Sequence, residues 1–338
     1  MHEEVILITG ANGEIGHGLI RHLADQKKAI VALDLNPLDD VLQPLVRHWQ
    51  VGDILNFALL EKLFEEYHFS VVFHLASILS TKAEQNPELA HKVNVEGTLN
   101  LLRLAEVQSR RNCLPVKFIY PSSIAVYCLP NLETKQAAGK VREDQFTTPA
   151  TMYGINKLYC EHLGRYYSKH YKQLANNANP DELLDFRALR FPGLISSETV
   201  PTGGTSDYGP EMLHAAAKGV SYDCFVRPDT RLPFMVMPDA VKSLISLKEA
   251  PRQALTQTVY NVTSFNPSAQ ELYDLTVAAF PKADIRFVPD CHRQCIVDSW
   301  PADIDDSAAQ RDWGWQPDYN FDRAFSEYLI PVIRARYQ

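Results

Sequence analysis

Three side chains in the middle of the chain could together move a proton: Ser123, Tyr153 and Lys157. A phenol with an ordinary pKa of ~10 is a poor base at neutral pH, so it needs a nearby cation to stabilise its phenolate. Tyr153 and Lys157 are four residues apart, and residues at that spacing share one face of a helix. The pair therefore predicts a helix that presents a general base and its activating ammonium to one site.

Ser123 could add a hydroxyl to that site. It follows a strand predicted over residues 118–121, and ligands of open α/β sheets bind at the carboxyl ends of the strands. A serine there could hold a substrate oxygen while Tyr153 carries the proton. Serine is also common in turns and helix caps, and Ser122 competes for the same role. The interpretation therefore needs independent support from a cofactor motif.

That support comes from the N-terminus, where Gly10, Gly13 and Gly16 recur between an apolar strand and an amphipathic helix. In a dinucleotide-binding turn the first glycine permits the tight turn and the second lets the backbone approach the pyrophosphate. The third allows close packing of helix on strand, and the helix N-terminus faces the anion. The predicted cofactor site includes the other residues of this turn, Asn12, Glu14 and Ile15.

The acid at the end of the second predicted strand, Asp34, indicates which dinucleotide is bound. A carboxylate at this point can accept hydrogen bonds from both ribose hydroxyls and would repel a 2′-phosphate, which favours NAD over NADP. The alternative is a solvated acid at the end of a strand. Asp53 is expected to meet the adenine amino group. The remaining residues expected at the cofactor are Leu35, Asn36, Ile54, Leu75, Ala76, Tyr153 and Lys157.

Together, the glycine turn and the three polar side chains indicate a nicotinamide-dependent enzyme. Tyr153 would take a hydroxyl proton while hydride leaves the same carbon for the nicotinamide. Ser123 would steady the oxygen as it becomes a carbonyl. In the reverse direction Tyr153 would act as the acid.

The periodicity of apolar residues predicts the elements that position these side chains. Short apolar stretches alternate with longer amphipathic segments, as in βα units around a parallel sheet. Strands are predicted over residues 5–9, 29–33, 71–75, 118–121 and 186–190, and helices over residues 15–25, 56–67, 90–109 and 153–171. This pattern predicts an α/β fold, a doubly wound parallel-sheet Rossmann domain with a smaller C-terminal substrate-binding domain.

The composition of the chain changes after residue 190, where proline and glycine become frequent. We expect an NAD-binding domain over residues 1–190. Residues 191–338 are expected to form mainly a substrate-binding lobe, with some segments returning to the large domain. Residues 173–185 have the composition of a surface insertion between a helix and a strand.

Composition excludes several classes of function. The chain has 338 residues, of which 46% are hydrophobic, and its formal net charge is −8. No basic run interleaved with aromatic residues is present, so nucleic acid is not an expected partner. No stretch approaches the roughly 20 apolar residues that span a bilayer, so no membrane association is expected.

The N-terminus and the cysteines predict a location. The first strand begins close to Met1 and leaves no room for a leader, so the chain is expected to be either cytoplasmic or already processed. Six scattered cysteines are typical of free thiols in a reducing compartment. Cys291 and Cys295 form the one cysteine cluster, and it lacks the second ligand pair of a zinc site, so no metal is expected.

The glycine turn, the set of Ser123, Tyr153 and Lys157, and the late lobe resemble the extended short-chain dehydrogenase/reductases over essentially the whole chain. Within that family, several further stretches look like the epimerase-like L-threonine 3-dehydrogenases. These stretches are residues 189–196, 203–208, 230–235, 298–301 and 304–315.

The resemblance implies an activity and its partners. It implies NAD-dependent oxidation of L-threonine at its 3-hydroxyl to 2-amino-3-oxobutyrate, in threonine catabolism and without a metal. It also implies a homodimer built around helices of the large domain, with glycine C-acetyltransferase as the downstream metabolic partner.

The resemblance further implies roles for individual residues. Leu194 would touch the nicotinamide, and Asp207 could answer the substrate ammonium, although Asp is also a common turn residue. Arg231 is a candidate for the substrate carboxylate, or it pairs within the lobe. The residues implied at the substrate are Ser80, Ser123, Tyr153, Gly204, Thr205, Ser206, Asp207 and Arg231.

Two other functions share the fold. A nucleotide-sugar 4-epimerase or dehydratase would use the same tyrosine chemistry and retain its NAD. In that group an Asn commonly follows the arginine of the corresponding strand, whereas here Arg190 is followed by Phe191 and Pro192. A non-catalytic NAD-sensing regulator is the third reading, and a pure binder would not require Ser123, Tyr153 and Lys157.

Overall fold

The computed structural model describes residues 4–174, 184–201 and 203–337. Its strands are β1 (Val5–Thr9), β2 (Ala29–Asp34), β3 (His48–Val51), β4 (Phe69–His74), β5 (Lys117–Ser123), β6 (Lys140–Val141), β7 (Asp185–Phe191), β8 (Gly193–Ile195), β9 (Tyr222–Cys224), β10 (Phe234–Val236), β11 (Val259–Asn261), β12 (Ile285–Phe287) and β13 (Asp303–Ile304).

The α-helices fall between and after these strands. They are α1 (Glu14–Asp25), α2 (Phe57–Glu66), α3 (Ser80–Gln85), α4 (Pro87–His91), α5 (Gly97–Asn112), α6 (Leu132–Ala138), α7 (Met152–Lys169), α8 (Tyr208–Lys218), α9 (Met237–Glu249), α10 (Ala269–Ala279), α11 (Cys291–Ser299), α12 (Ser307–Trp313), α13 (Phe321–Arg323) and α14 (Ile330–Tyr337).

Seven strands form one parallel sheet in the order β11-β7-β5-β4-β1-β2-β3. Apolar side chains of α1 and α9 pack on one face of the sheet, and those of α2, α5 and α7 pack on the other. The strand order reverses between β1 and β4, where ligands of such sheets bind. The predicted α/β fold with a doubly wound parallel sheet is confirmed.

All five predicted strands are present, each within two residues of its predicted ends. Sequence reasoning missed the two strands at the edges of the sheet, β3 and β11. Strand β3 has no fully buried residue, so it carries no continuous apolar run. Strand β11 follows a loop and has only three residues, so the strand is too short to show an alternation of apolar and polar residues.

The helix predicted over residues 90–109 is two helices joined by a wide turn. The segment Lys92–Glu96 has π-helical geometry between α4 and α5, an arrangement that is frequent at functional sites. It directs Asn94 towards the loop that follows β4, where its Oδ1 accepts from Ile78 N at 2.7 Å and its Nδ2 donates to Ile78 O at 3.0 Å. The irregular segment thereby fixes the loop that leads into α3.

The C-terminal part of the chain, together with β6 from the middle of the chain, forms a smaller region around three two-stranded pairs, β8 with β10, β9 with β12, and β6 with β13. It has its own apolar core, to which α8, α10 and the segment containing Trp300 contribute. Strand β11 pairs with β7 in the large sheet, and α9 packs against α1. The division of the chain into domains at residue 190 stays a proposal.

The surface insertion predicted over residues 173–185 falls mainly on residues 175–183, which lie outside the described residues. Helix α7 precedes this stretch, and β7 follows it. Over the described ranges, the helices are too short or too polar to cross a bilayer.

Candidate active site

A cavity opens at the carboxyl edge of the sheet, where β1, β4 and β5 end and the smaller region begins. It brings together residues that are far apart in sequence. The predicted cofactor, catalytic and substrate residues that line it are Gly10, Asn12, Gly13, Glu14, Ile15, Gly16, Leu75, Ser80, Ser123, Tyr153, Lys157, Leu194, Gly204, Ser206 and Asp207.

Helix α7 carries Tyr153 into this cavity in its first turn. The hydroxyl of Thr151 caps the helix by accepting from Gly154 N at 3.1 Å, and Glu84 Oε1 accepts from Met152 N at 2.6 Å. Gly154 lets the helix approach the chain after β5, because a Cβ on it would lie 2.0 Å from Ala125 O. The result is that Tyr153 meets the end of β5.

Tyr153 faces Ser123 at the end of β5, and both side chains line the cavity. Burial raises the pKa of Tyr153 above its ordinary value, and the interaction with Ser123 opposes that rise. Ser123 also accepts from Ala125 N at 3.1 Å through its Oγ, so its side chain is held in one orientation. A phenol and a hydroxyl in one cavity can share one substrate oxygen and its proton.

Lys157 lies one turn further along α7. Its Nζ donates to Pro121 O at 2.7 Å and lies 5.5 Å from the centroid of the Tyr153 ring. Burial lowers the pKa of Lys157 to about 8. Any further positive charge in the cavity would lower the pKa of Tyr153 and favour its phenolate.

The glycine turn fits the pyrophosphate of a dinucleotide. Gly10 has φ +69°, and a Cβ on it would lie 2.6 Å from Ala76 N. A Cβ on Gly16 would lie 2.3 Å from Ala11 O. Helix α1 starts at the cavity after Gly13, with no side chain capping its first turn, so its backbone N–H groups can receive an anion.

Asp34 lies at the end of β2 and braces the glycine turn. Its Oδ2 accepts from Asn12 N at 3.0 Å, and its Oδ1 accepts from Asn36 N at 3.0 Å. It is not part of the cavity lining, although Asn12 beside it is. Its carboxylate therefore lies next to the turn, where carboxylate oxygens can accept hydrogen bonds from the free hydroxyls of a ribose.

The other expected cofactor residues lie around this edge and outside the cavity lining. Leu35 is 65% exposed, and Ile54 is buried against Gly97. Asp53 holds its own turn by accepting from Leu55 N at 2.9 Å. Ala76 packs against Gly10. Their roles at a cofactor stay predictions.

Two predicted substrate residues contact each other across the cavity wall. Ser80, the first residue of α3, accepts through its Oγ from Thr205 N at 3.1 Å and from Thr205 Oγ1 at 3.0 Å. Ser80 lines the cavity, and Thr205 lies buried behind it. The pair joins the large sheet region to the 203–208 loop.

Asp207 shapes the same loop from within. Its Oδ2 accepts from Gly203 N at 3.0 Å and from Gly204 N at 2.5 Å. Burial raises the pKa of Asp207, and these two hydrogen bonds oppose the rise. Its carboxylate lines the cavity, where it could face a cationic group of a substrate.

Arg231 is not brought to the cavity. Its guanidinium donates to Asn266 O and, at 2.8 Å, to Glu271 Oε2. These bonds close a turn of the smaller region around the start of α10. Of the two roles expected for Arg231, the structure places it in the one within the lobe.

Several cavity residues were not singled out from the sequence, among them Trp300, which follows α11 and is 4% exposed. Trp300 belongs to the 298–301 stretch that carried the family resemblance, so a role in the site could have been inferred from that stretch. Other residues in this group are Ser77, Leu79, Phe191, Pro192, Thr199 and Val200.

None of the cysteines lines the cavity. All six are unpaired, and Cys291 and Cys295 are exposed on α11. Over residues 4–174, 184–201 and 203–337, no cluster of three or more His, Cys, Asp and Glu side chains could hold a metal ion.

Changing the charge of Asp34 should change which dinucleotide is used. In Asp34→Asn the shape is kept and the repulsion of a 2′-phosphate is removed, so the ratio of kcat/KM for NAD to that for NADP should fall about tenfold or more. The matched control is Asp40→Asn, a nearby exposed acid, which should leave the ratio unchanged. An unchanged ratio in Asp34→Asn would reduce Asp34 to a strand-end residue.

Glu14, at the start of α1, should make stability depend on pH. Burial, with a smaller contribution from the Asp207 carboxylate, raises the pKa of Glu14 to about 7 from 4.5. The folded protein therefore keeps a proton that the unfolded chain releases, and folding becomes less favourable as pH rises from 4.5 to about 7.

Glu14→Gln removes that dependence. Its Tm, measured without ligands, should exceed the wild-type Tm by an amount that grows between pH 5 and pH 7 and then stays constant. Glu66→Gln, an exposed acid at the end of α2, is the control and should show a pH-independent difference. The same Tm difference at pH 5 and pH 8 for Glu14→Gln would contradict the assignment.

Comparisons with known proteins agree with this geometry. The model of the NAD dependent epimerase/dehydratase family matches residues 6–263. A mitochondrial L-threonine 3-dehydrogenase of Bos taurus is 32% identical over 323 residues, covering 94% of this chain and 80% of the relative.

Solved structures give the same result. A monomeric L-threonine 3-dehydrogenase from a metagenome, solved in its apo form, has 34% sequence identity and a TM-score of 0.86, covering 98% of this chain and 100% of that one. A UDP-glucose 4-epimerase from Thermotoga maritima has a TM-score of 0.80 at 18% identity, with 98% of both chains covered, and shares the fold.

These findings confirm the resemblance to the extended short-chain dehydrogenase/reductases and the inference of a nicotinamide cofactor. The turn at Gly10 to Gly16 and the pair of Ser123 and Tyr153 lie within the matched residues. This chain belongs to the NAD dependent epimerase/dehydratase family.

Proposed function

We propose that this protein is an NAD-dependent oxidoreductase that oxidises the 3-hydroxyl of L-threonine to give 2-amino-3-oxobutyrate. The observation that carries the proposal is that Ser123, Tyr153 and Lys157 line one cavity with the dinucleotide turn. The names of the relatives and of the solved structures support threonine as the substrate.

In this proposal Tyr153 is the general base. Its phenolate oxygen takes the proton of the 3-hydroxyl, and Ser123 donates a hydrogen bond to the oxygen that becomes a carbonyl. Lys157 provides positive charge close to the phenol. NAD, when bound, accepts the hydride from C3.

The residues around this pair suit a small polar substrate. Ser80, Ser206 and Asp207 offer two hydroxyls and one carboxylate to the cavity, and the carboxylate can answer an ammonium group. Trp300 and Val200 add apolar walls. NAD is preferred over NADP because the Asp34 carboxylate stands beside the turn.

The product sets a requirement on the cell. A 2-amino-3-oxo acid loses its carboxylate readily, so an enzyme that consumes it must act soon after its release. We propose glycine C-acetyltransferase for that step. We also propose the cytoplasm as the compartment, supported by six unpaired cysteines, which suit a reducing environment.

A homodimer is proposed on the basis of α7 and α5. The outer face of α7 exposes Ile155, Tyr159 and Tyr166 at 47%, 52% and 41%, and Val107 on the neighbouring α5 is 49% exposed. Ile155, Tyr159 and Tyr166 recur at helical spacing along α7 and form one exposed stripe, which is typical of a surface that a second protein covers. A two-fold contact would bring the same stripe of a second copy against it.

The proposed reaction is tested by NADH absorbance when the purified protein is mixed with NAD and L-threonine. L-allo-threonine, L-serine and UDP-galactose serve as comparison substrates. NADH should accumulate with L-threonine above the others. Tyr153→Phe should lower kcat about 10²-fold or more, because it removes the proton carrier, while NAD affinity changes little.

Three outcomes would contradict this proposal. Conversion of UDP-galactose without release of NADH would indicate an epimerase that retains its cofactor. Wild-type turnover by Tyr153→Phe would remove Tyr153 from the mechanism. NAD binding without turnover of any substrate would favour a regulator.

The dimer is tested by the molar mass in solution, measured by light scattering after gel filtration. The wild type should have twice the mass of one chain, and Tyr159→Glu should have the mass of one, because a buried unpaired charge opposes the contact. Val220→Glu, at an exposed apolar position that follows α8, is the control and should stay dimeric. A wild-type protein with the mass of one chain would overturn the proposal.

A further inference from the structure

Behind the catalytic residues lies a buried ionic cluster, formed by Ser122, Glu161 and Arg190. Arg190 on β7 binds the Glu161 carboxylate with two bonds, Nε to Oε1 at 2.9 Å and Nη2 to Oε2 at 2.7 Å. Ser122 Oγ donates to Glu161 Oε1 at 2.5 Å. All three residues are nearly inaccessible to solvent.

The cluster joins the two elements that carry the catalytic side chains. Glu161 is one turn beyond Lys157 on α7, and Ser122 is the residue between Pro121 and Ser123 on β5. Pro121 O accepts from Lys157 Nζ, and Ser123 faces Tyr153. The Ser122–Glu161 bond therefore tethers the end of β5 to α7 between two catalytic contacts.

Arg190 extends this tether across the sheet. Its Nη1 donates to Tyr127 OH at 2.8 Å and to Glu143 O at 2.7 Å, and Tyr127 OH donates to Asn261 Oδ1 at 2.7 Å. Asn261 ends β11 and donates to Val141 O at 3.1 Å. The carboxylate of Glu161 thus has a fixed position, set from several elements.

Stability alone is a weak reason for this cluster. The desolvation cost of a buried ion pair can exceed its attraction, and well-packed apolar side chains are often as stable or more stable. A carboxylate whose oxygens are all engaged does, however, fix the groups bound to it. Its location one turn from Lys157 makes the catalytic groups the ones that it fixes.

We propose that Glu161 is a positioning residue for the reaction, which acts through Ser122 on the β5 end and through its charge on Lys157. The proposal rests on the proposed function for its rate measurements and not for its titration. It also assigns Ser122 a role distinct from that of Ser123, because the Ser122 hydroxyl is taken by Glu161 and is not available to a substrate.

The first test is the titration of Lys157 in the intact, ligand-free protein, which needs no substrate. The groups that face Lys157 are Cys160 and Glu161 on its own helix, Tyr120 on β5, His74 on β4, and Tyr153. Burial lowers the pKa of Lys157, and Cys160 and Glu161 oppose that effect; of these two, Glu161 is the carboxylate of the buried cluster.

In Glu161→Gln the Lys157 pKa should therefore fall by about one pH unit. The titration of Lys157 is followed by NMR of labelled lysine side chains. The Lys157 signal is the one that is missing from the spectrum of Lys157→Met. Glu66→Gln, which removes an exposed charge, should leave the Lys157 pKa unchanged. An unchanged Lys157 pKa in Glu161→Gln would overturn the proposal.

The second test uses Ser122 and keeps the ion pair whole, so it applies even if Glu161→Gln fails to fold. Ser122→Ala should lower kcat for L-threonine about tenfold, with KM and NAD affinity within about twofold of wild type. Ser122→Thr keeps the hydroxyl and should recover most of kcat. A folded Ser122→Ala with wild-type kcat and only a lower Tm would show a purely structural role and overturn the proposal.

The two failures can be told apart. A wild-type protein that does not oxidise L-threonine would refute the proposed function, and the Lys157 titration would still decide whether Glu161 acts on Lys157. A wild-type protein that is active, with an unshifted Lys157 pKa in Glu161→Gln, would refute the positioning role and leave the proposed function standing.

Discussion

The close approach of helix α7 to the sheet is the constraint on which the site depends. Gly154 and Gly164 make it possible, because a Cβ on Gly154 would lie 2.0 Å from Ala125 O and one on Gly164 would lie 2.2 Å from the Phe186 ring. Side chains at these two points would push the helix outwards. Tyr153 is next to Gly154, and Lys157 lies between the two glycines on the same helix. The packing of the α7 backbone on the sheet therefore sets the distance of both side chains from β5.

Burial is what gives the site its electrostatic character. It raises the pKa of Tyr153 and lowers that of Lys157, so both groups are pushed towards their neutral forms. A charge that enters such a cavity acts strongly on them, because little water is present to screen it. Proton transfer at this site therefore depends on the charge of the molecule that is bound in the cavity.

The sequence predicts the centre of this fold better than its margins. Residues whose roles are local and steric, such as Gly10 in its turn, are predicted because a short motif contains the whole physical reason. The edge strands β3 and β11 lack a readable pattern since they are short or half exposed. The π-helical segment at Asn94 depends on a contact with a distant loop, which no local periodicity reveals.

Among the site residues the same distinction holds. Tyr153 and Lys157 lie on one helix, so spacing alone places them together, whereas the bond between Ser80 and Thr205 joins residues 125 positions apart in the sequence. Arg231 has the charge that a carboxylate needs, and only the structure shows that its bonds lie within the lobe. Charge and residue type thus predict what a group could bind, and packing decides what it reaches.

The most direct test of the account is the fate of the hydrogen on C3 of the substrate. With L-threonine deuterated at C3, the account predicts that the deuterium appears at C4 of the reduced nicotinamide, detected by NMR of the recovered cofactor, while Tyr153 carries the hydroxyl proton. Reduced cofactor without deuterium, or no reduction of NAD by L-threonine, would contradict it.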